Sequence, residues 1–95
     1  MLFNRFKEVF DHEDIVAVDI TLRPLGKEPY VLRFYPVYND SYTIDFYYVT
    51  DRNEMLKQTV TSDWFLDKKE EDIQIILKDS THSITGLYHK YMGKM

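Results

Sequence analysis

The fold is decided by residues 42–50, which read YTIDFYYVT. Side chains of opposite character alternate along this stretch. Ile44 and Phe46 fall on one side of an extended chain, and Asp45 and Tyr47 fall on the other. A period of two is typical of a β-strand with one buried face, and aromatic side chains suit such a pleated, half-buried surface. The stretch therefore predicts a strand.

The same alternation occurs on both sides of this strand. Residues 15–22 and 30–38 predict two earlier strands, joined by a turn rich in Pro and Gly, and residues 55–61 predict a fourth strand. Pro36 has no N–H to donate to a neighbour, so the second strand is expected to lie at an edge or to bulge there.

Helices are expected at both ends of the chain. Residues 2–11 carry one apolar stripe with the spacing of an amphipathic helix. Near the other end, acidic residues follow Asp67 as they would in a capping box, and this pattern predicts a helix from about Lys68. That helix is expected to break at 79–81, with a final helix continuing to about Met92. An alternating strand at 73–77 is the competing interpretation, which leaves the structure of residues 72–79 open.

The elements together predict one α+β domain over residues 1–95, with the order α-β-β-β-β-α-α. An antiparallel four-stranded meander would carry the N-terminal helix and one or two C-terminal helices on its apolar face. The expected core consists of apolar and aromatic side chains from the strands and the helices: Val16, Val18, Ile20, Leu32, Phe34, Ile44, Phe46, Tyr48, Phe3, Phe6, Phe10, Trp64, Ile76, Leu77, Leu87 and Tyr88.

Composition excludes several classes of protein. The chain has 12 Lys and Arg against 16 Asp and Glu, a net charge of −4, and its basic residues are scattered, which argues against a duplex-binding protein. There is no cysteine, no apolar run long enough to span a membrane, and no apolar segment of a signal peptide at the start. A cytoplasmic protein is expected, and its amino-acid usage suggests a phage or mobile-element origin.

Sequence motifs for catalysis, metal binding or cofactor binding are absent. The three glycines are isolated, so no phosphate-binding loop is present. His12 and Glu13 lack the second histidine of a zinc-protease motif, and the acidic run 63–72 is typical of a solvated helix start. His82 and His89 would share a helix face if the helix is continuous there, but their spacing of seven is not that of metal ligands. No cofactor and no metal are expected.

The strand face opposite the predicted core holds the candidate binding residues. Parity places there an arginine, two tyrosines and two carboxylates, which are Asp19, Arg33, Tyr35, Asp45 and Tyr47. The three charged residues could form a row across three strands. Tyr and Arg are enriched in the energetically dominant positions of protein interfaces, whereas an ordinary solvated face is the competing interpretation.

These observations favour a small acidic, non-enzymatic interaction protein. It would act as a regulator or inhibitor that binds a protein partner, or a second copy of itself, through a sheet face or an edge strand. A single-stranded nucleic-acid binder with stacking tyrosines is the first alternative, although the negative charge makes nucleic acid unlikely. A small enzyme of unknown reaction is the second.

Overall fold

The computed structural model describes residues 2–40 and 42–92, except for the side chains of residues 85, 88, 91 and 92. This part of the chain contains two α-helices and six β-strands. The elements follow the order α1 (Leu2–His12), β1 (Ala17–Leu22), β2 (Tyr30–Tyr38), β3 (Ile44–Val49), β4 (Met55–Val60), 3₁₀ turns at Ser62–Phe65 and Glu70–Asp72, β5 (Ile73–Ile76), β6 (Thr81–Ser83) and α2 (Ile84–Met92).

The strands form one antiparallel sheet in the order β4-β3-β2-β1-β5-β6. The first four strands form the predicted antiparallel meander. The predicted α+β class with an N-terminal helix is also confirmed. The four-stranded sheet is wrong, because β5 and β6 extend it beyond β1. β2 is an interior strand, but its pairing with β1 ends at Val18↔Phe34, so Pro36 lies where β1 no longer flanks it.

The helix predicted from about Lys68 is also wrong. The acidic residues there begin a short 3₁₀ turn, Glu70–Asp72, and the chain then extends into β5. Ile73 and Ile75 pair with Ile20 and Val18 of β1, so the competing strand interpretation of this stretch is confirmed. A helix is present only after β6, at Ile84–Met92.

An ion pair between the half-exposed Arg23 and the buried Asp72 holds the chain where it crosses to the far side of β1. Arg23, directly after β1, donates from Nη2 to Asp72 Oδ1 at 2.6 Å, and the backbone N–H of Lys69 donates to Asp72 Oδ2 at 3.2 Å. The Asp72 side chain is 3% exposed. The hydrogen bond from Arg23, followed by the bond from Lys69, holds the pKa of Asp72 below its usual value despite the cost of desolvation.

The core lies between one face of the sheet and the helices. Phe6 of α1, Phe34 of β2 and Phe46 of β3 are fully buried, and each such side chain contributes roughly 1.5–3 kcal/mol of hydrophobic stabilisation. The Phe46 ring contacts the rings of Phe34 and Trp64 at centroid distances of 5.2 and 5.5 Å. These contacts hold Trp64, in the Ser62–Phe65 turn, against β2 and β3.

Most of the expected core is confirmed, with four differences. Ile76 is only half-buried, pairs with Ala17 and does not belong to the core cluster. Val16 precedes β1 and is half-exposed. Tyr88 belongs to the side chains outside the described part. The sequence analysis missed several buried residues, mainly at the ends of β4, β5 and the helices: Val9, Ala17, Val60, Phe65, Ile73, Ile75 and Ile84.

Candidate docking face of the sheet

The two faces of the sheet have different surroundings. The single core cluster joins residues of α1, α2 and the Ser62–Phe65 turn to one face. Within residues 2–40 and 42–92, no helix covers the opposite face, which we call the open face. Its residues on β2 and β3 are the odd-numbered ones from 31 to 37 and from 45 to 49. The parity predicted from the sequence is confirmed by the full burial of Phe34, Ile44 and Phe46 on the other face.

Several large apolar side chains on this open face are exposed to water. Val31 is 61% exposed and Val37 is 50% exposed on β2, and Met55 of β4 is 63% exposed. Tyr35 and Val49 are also exposed, and register places them beside the others. β-branched and aromatic residues suit strands, but a contiguous group of them in water is uncommon in proteins that bind nothing through that surface.

Tyr35 and Tyr47 are direct cross-strand neighbours at the centre of this face. β2 and β3 pair them across the ladder, and Tyr47 is in turn opposite Lys57 of β4. Tyr35 is exposed and Tyr47 is half-buried. The two rings form the middle of a surface that runs from β2 to β4.

A bidentate ion pair borders the apolar residues. Arg33 donates from Nε and Nη2 to the two carboxylate oxygens of Asp19 at 2.7 and 3.0 Å, and the two residues are directly opposite on β2 and β1. The hydrogen bond to Asp19, and then the charge of Asp19, raise the pKa of Arg33. Because each charge is matched by the other, this edge of the face is close to neutral.

The predicted row Asp19–Arg33–Asp45 is wrong in its third member. Asp45 is opposite Val37, not opposite Arg33. Val37 lies four residues along β2 from Arg33, about 13 Å at the rise of a strand. Asp45 instead accepts a hydrogen bond from Thr59 Oγ1 of β4 at 2.6 Å.

Sequence reasoning missed the contribution of β4 to the open face. Met55, Lys57 and Thr59 pair with Val49, Tyr47 and Asp45 respectively, and all three are exposed. The signal was present in the alternation of residues 55–61, because a fourth strand paired with β3 must present every second residue to the same face.

Candidate catalytic and metal-binding residues have structural partners. His12 Nδ1 lies 2.8 Å from the carbonyl oxygen of Glu8, one turn earlier in α1. His82 lies in β6 and His89 in α2, so the expectation that they share a helix face is wrong. Among the described residues, no group of three or more His, Asp or Glu side chains could hold a metal ion, and none of the helices there is both long and apolar enough to cross a membrane.

Comparison with known proteins finds no matching protein family, no matching curated protein and no matching solved structure. The open face is therefore the feature of the molecule that points to a function.

Proposed function

We propose that this chain is a non-enzymatic interaction protein that binds a protein partner through the open face and thereby regulates or inhibits that partner. The observation that carries the proposal is the exposure of Val31, Val37 and Met55, together with Tyr35 and Tyr47, on one uncovered side of the sheet. Removing apolar surface from water is favourable by about 25 cal/mol per Å², so a partner that covered these side chains would be stabilised on the face by the hydrophobic effect.

The chemistry of the face also defines its partner. Arg33 and Asp19 neutralise each other, and the other charges on the face are one carboxylate, Asp45, and one ammonium group, Lys57. A partner would therefore present an apolar surface with little net charge, and its binding would depend weakly on salt. The tyrosines and the arginine supply the residue types that dominate interface energetics.

A photo-crosslinking experiment tests the proposal. A photoreactive phenylalanine analogue placed at Val37, in cells that produce the protein naturally, should crosslink to one protein partner. The same analogue at Leu25 is the control, because Leu25 is fully exposed in the β1–β2 loop and does not lie on the sheet. Crosslinks of equal strength from both positions, or none from Val37, would contradict the proposal.

Binding of the purified partner then measures the contribution of the face. Tyr47→Ala should weaken binding by about 30-fold or more, the effect of removing a dominant interface residue of roughly 2 kcal/mol. Leu25→Ala should leave the dissociation constant unchanged. Equal affinities for wild type and Tyr47→Ala, measured by calorimetry, would refute the role of the face.

A single-stranded nucleic acid is the second candidate ligand. Tyr35 and Tyr47 are opposite each other on an uncovered face, and such rings could stack on bases. The net charge of −4 and the engagement of Arg33 by Asp19 oppose it. Fluorescence anisotropy with short oligonucleotides at low salt decides the matter: absence of a signal at micromolar protein removes this candidate.

A further inference from the structure

The two edges of the sheet differ in how much backbone they leave free. β6 has three residues and continues directly into α2. β4 has six residues, of which all but Val60 are exposed, and it pairs with β3 on one side only. β4 is therefore the long free edge of this sheet.

The β3–β4 turn shows which backbone groups of β4 are free. Asn53 has a φ of 62°, and its N–H donates to the Thr50 carbonyl at 2.9 Å, while the Thr50 N–H donates to the Glu54 carbonyl at 2.8 Å. This geometry is a three-residue hairpin loop closed by a bulge. Hydrogen-bonded and non-bonded pairs alternate from there, so Leu56 and Gln58 bond to β3.

The alternate residues of β4 direct their N–H and C=O groups away from β3. These are Met55, Lys57 and Thr59. Natural sheets protect such an edge with proline, with several charges or with a bulge in the strand. β4 has no proline, one charged residue, and an unbroken register of six pairs with β3. The edge is thus a template for another strand.

We propose that β4 pairs antiparallel with β4 of a second copy, so that Lys57 of each copy forms an ion pair with Asp45 of the other. Among residues 2–40 and 42–92, neither Lys57 nor Asp45 belongs to an ion pair within the chain. The pairing supplies each of these charges with a partner.

Charge selects the register of this pairing. Opposing two Lys57 residues directly would place like charges together, which destabilises a strand pair. Shifting the register so that Lys57 is opposite Thr59 of the second copy removes the repulsion. In this shifted register the free backbone groups of Lys57 still form hydrogen bonds with those of Thr59 in the second copy. The two Gln58 residues then face each other at the two-fold axis.

In this register Lys57 comes within reach of the second Asp45. Asp45 is directly opposite Thr59 on β3 and is hydrogen-bonded to it. The Cα atoms of Lys57 and the second Asp45 are then two strand spacings apart, about 9.6 Å, which an extended lysine and an aspartate side chain bridge together. The two-fold axis produces this contact twice.

The pairing closes at two copies. Both copies use the same edge, so the association is isologous, and the remaining edge of each sheet is the three-residue β6. A continuous twelve-stranded sheet results, with the two open faces side by side on one surface. The pairing leaves the apolar side chains of the open face uncovered and takes only two charged residues from that face, Lys57 and Asp45. The inference therefore does not depend on the proposed function, and the two can fail separately.

Sedimentation equilibrium of the wild type and of variants with altered charges at Lys57 and Asp45 tests the pairing. The wild type should dimerise with a micromolar dissociation constant, because a contact of two strands buries less than a standard interface of about 1,200–2,000 Å². Lys57→Glu should weaken dimerisation at least about tenfold, since two exposed ion pairs become two repulsions. The double variant with Lys57→Asp and Asp45→Lys should restore it, and Lys27→Glu, in an exposed loop, is the matched control.

Amide hydrogen exchange provides a readout that does not depend on the charge variants. The amides of Lys57 and Thr59 should become protected as concentration rises, whereas those of Leu56 and Gln58 should be protected at every concentration. A wild type that is monomeric into the millimolar range would overturn the inference. A dimer that is unaffected by Lys57→Glu but dissociated by Tyr35→Ala would also overturn it, because the copies would then pair through the open face.

Discussion

Replacing exposed valines by threonine separates residues that stabilise the fold from residues that serve the open face. Threonine has nearly the shape of valine and an equally good strand preference, so the change chiefly replaces a methyl group by a hydroxyl. The test variant changes Val31, Val37 and Val49 together. The control variant changes Val18, which is fully buried in the centre of the sheet.

The structure gives different magnitudes for the two variants. At Val18 the hydroxyl would be buried without an assured partner, which costs about 1–3 kcal/mol. The open-face valines are 40–61% exposed, so each new hydroxyl reaches water, and such surface changes stay within about 0.5 kcal/mol each. A domain of this size has about 5–14 kcal/mol of total stability, so the loss at Val18 is easily resolved.

Urea unfolding followed by fluorescence measures both effects. Trp64 is the single tryptophan and packs against Phe46 in the core, so its emission reports on loss of the native structure. The Val18→Thr variant should unfold at clearly lower urea than the wild type, and the triple variant should unfold close to the wild type. A loss of stability per substitution in the triple variant as large as that of Val18→Thr would show that the open face is covered, which would refute the reasoning.

Three further predictions address the core, the Arg23–Asp72 ion pair and the β3–β4 turn. Phe46→Ala should cost about 3–5 kcal/mol in unfolding free energy, whereas Tyr47→Ala, one residue away on the other face, should cost about 1 kcal/mol or less; equal losses by urea unfolding would contradict the assignment of faces. Because the Arg23 hydrogen bond lowers the native pKa of Asp72, the pair should stabilise the fold above the unfolded value of about 3.9, and this contribution should vanish as pH falls through the lower native value; the difference in urea midpoint between wild type and Asp72→Asn, large at pH 7, should therefore close in acid, and a difference independent of pH would count against the pair. Asn53→Val should cost about 1–2 kcal/mol because Asn53 has a positive φ, whereas Asn53→Gly should be tolerated; equal thermal midpoints for the two variants would exclude this backbone conformation.

The residues that local periodicity predicted correctly are those whose environment depends on near neighbours. Phe46 and Tyr47 fall on opposite faces because a strand alternates, whatever it pairs with. The five candidate site residues were accordingly placed on one face. The role of that face as a docking surface stays a prediction.

The errors arose where the outcome depends on distant parts of the chain. Ile73 and Ile75 form a strand because β1 has a second edge free to accept them, and nothing within residues 68–79 reveals that edge. The acidic residues before them suit a helix start equally well, but Asp72 bonds to Arg23, which lies 49 residues earlier in the chain. The prediction that Asp45 lies opposite Arg33 was wrong for a related reason. The turn between β2 and β3 sets their register, and alternation along each strand does not reveal it.

The accessibility of valine methyl groups in the free protein tests the central claim most directly. A soluble paramagnetic probe broadens the NMR signals of methyl groups that solvent reaches. The methyl signals of Val31 and Val37 should broaden strongly in dilute protein, while those of Val18 and Val60 should stay sharp. Val37 signals as sharp as those of Val18 would mean that this side of the sheet is covered, and the docking face would not exist.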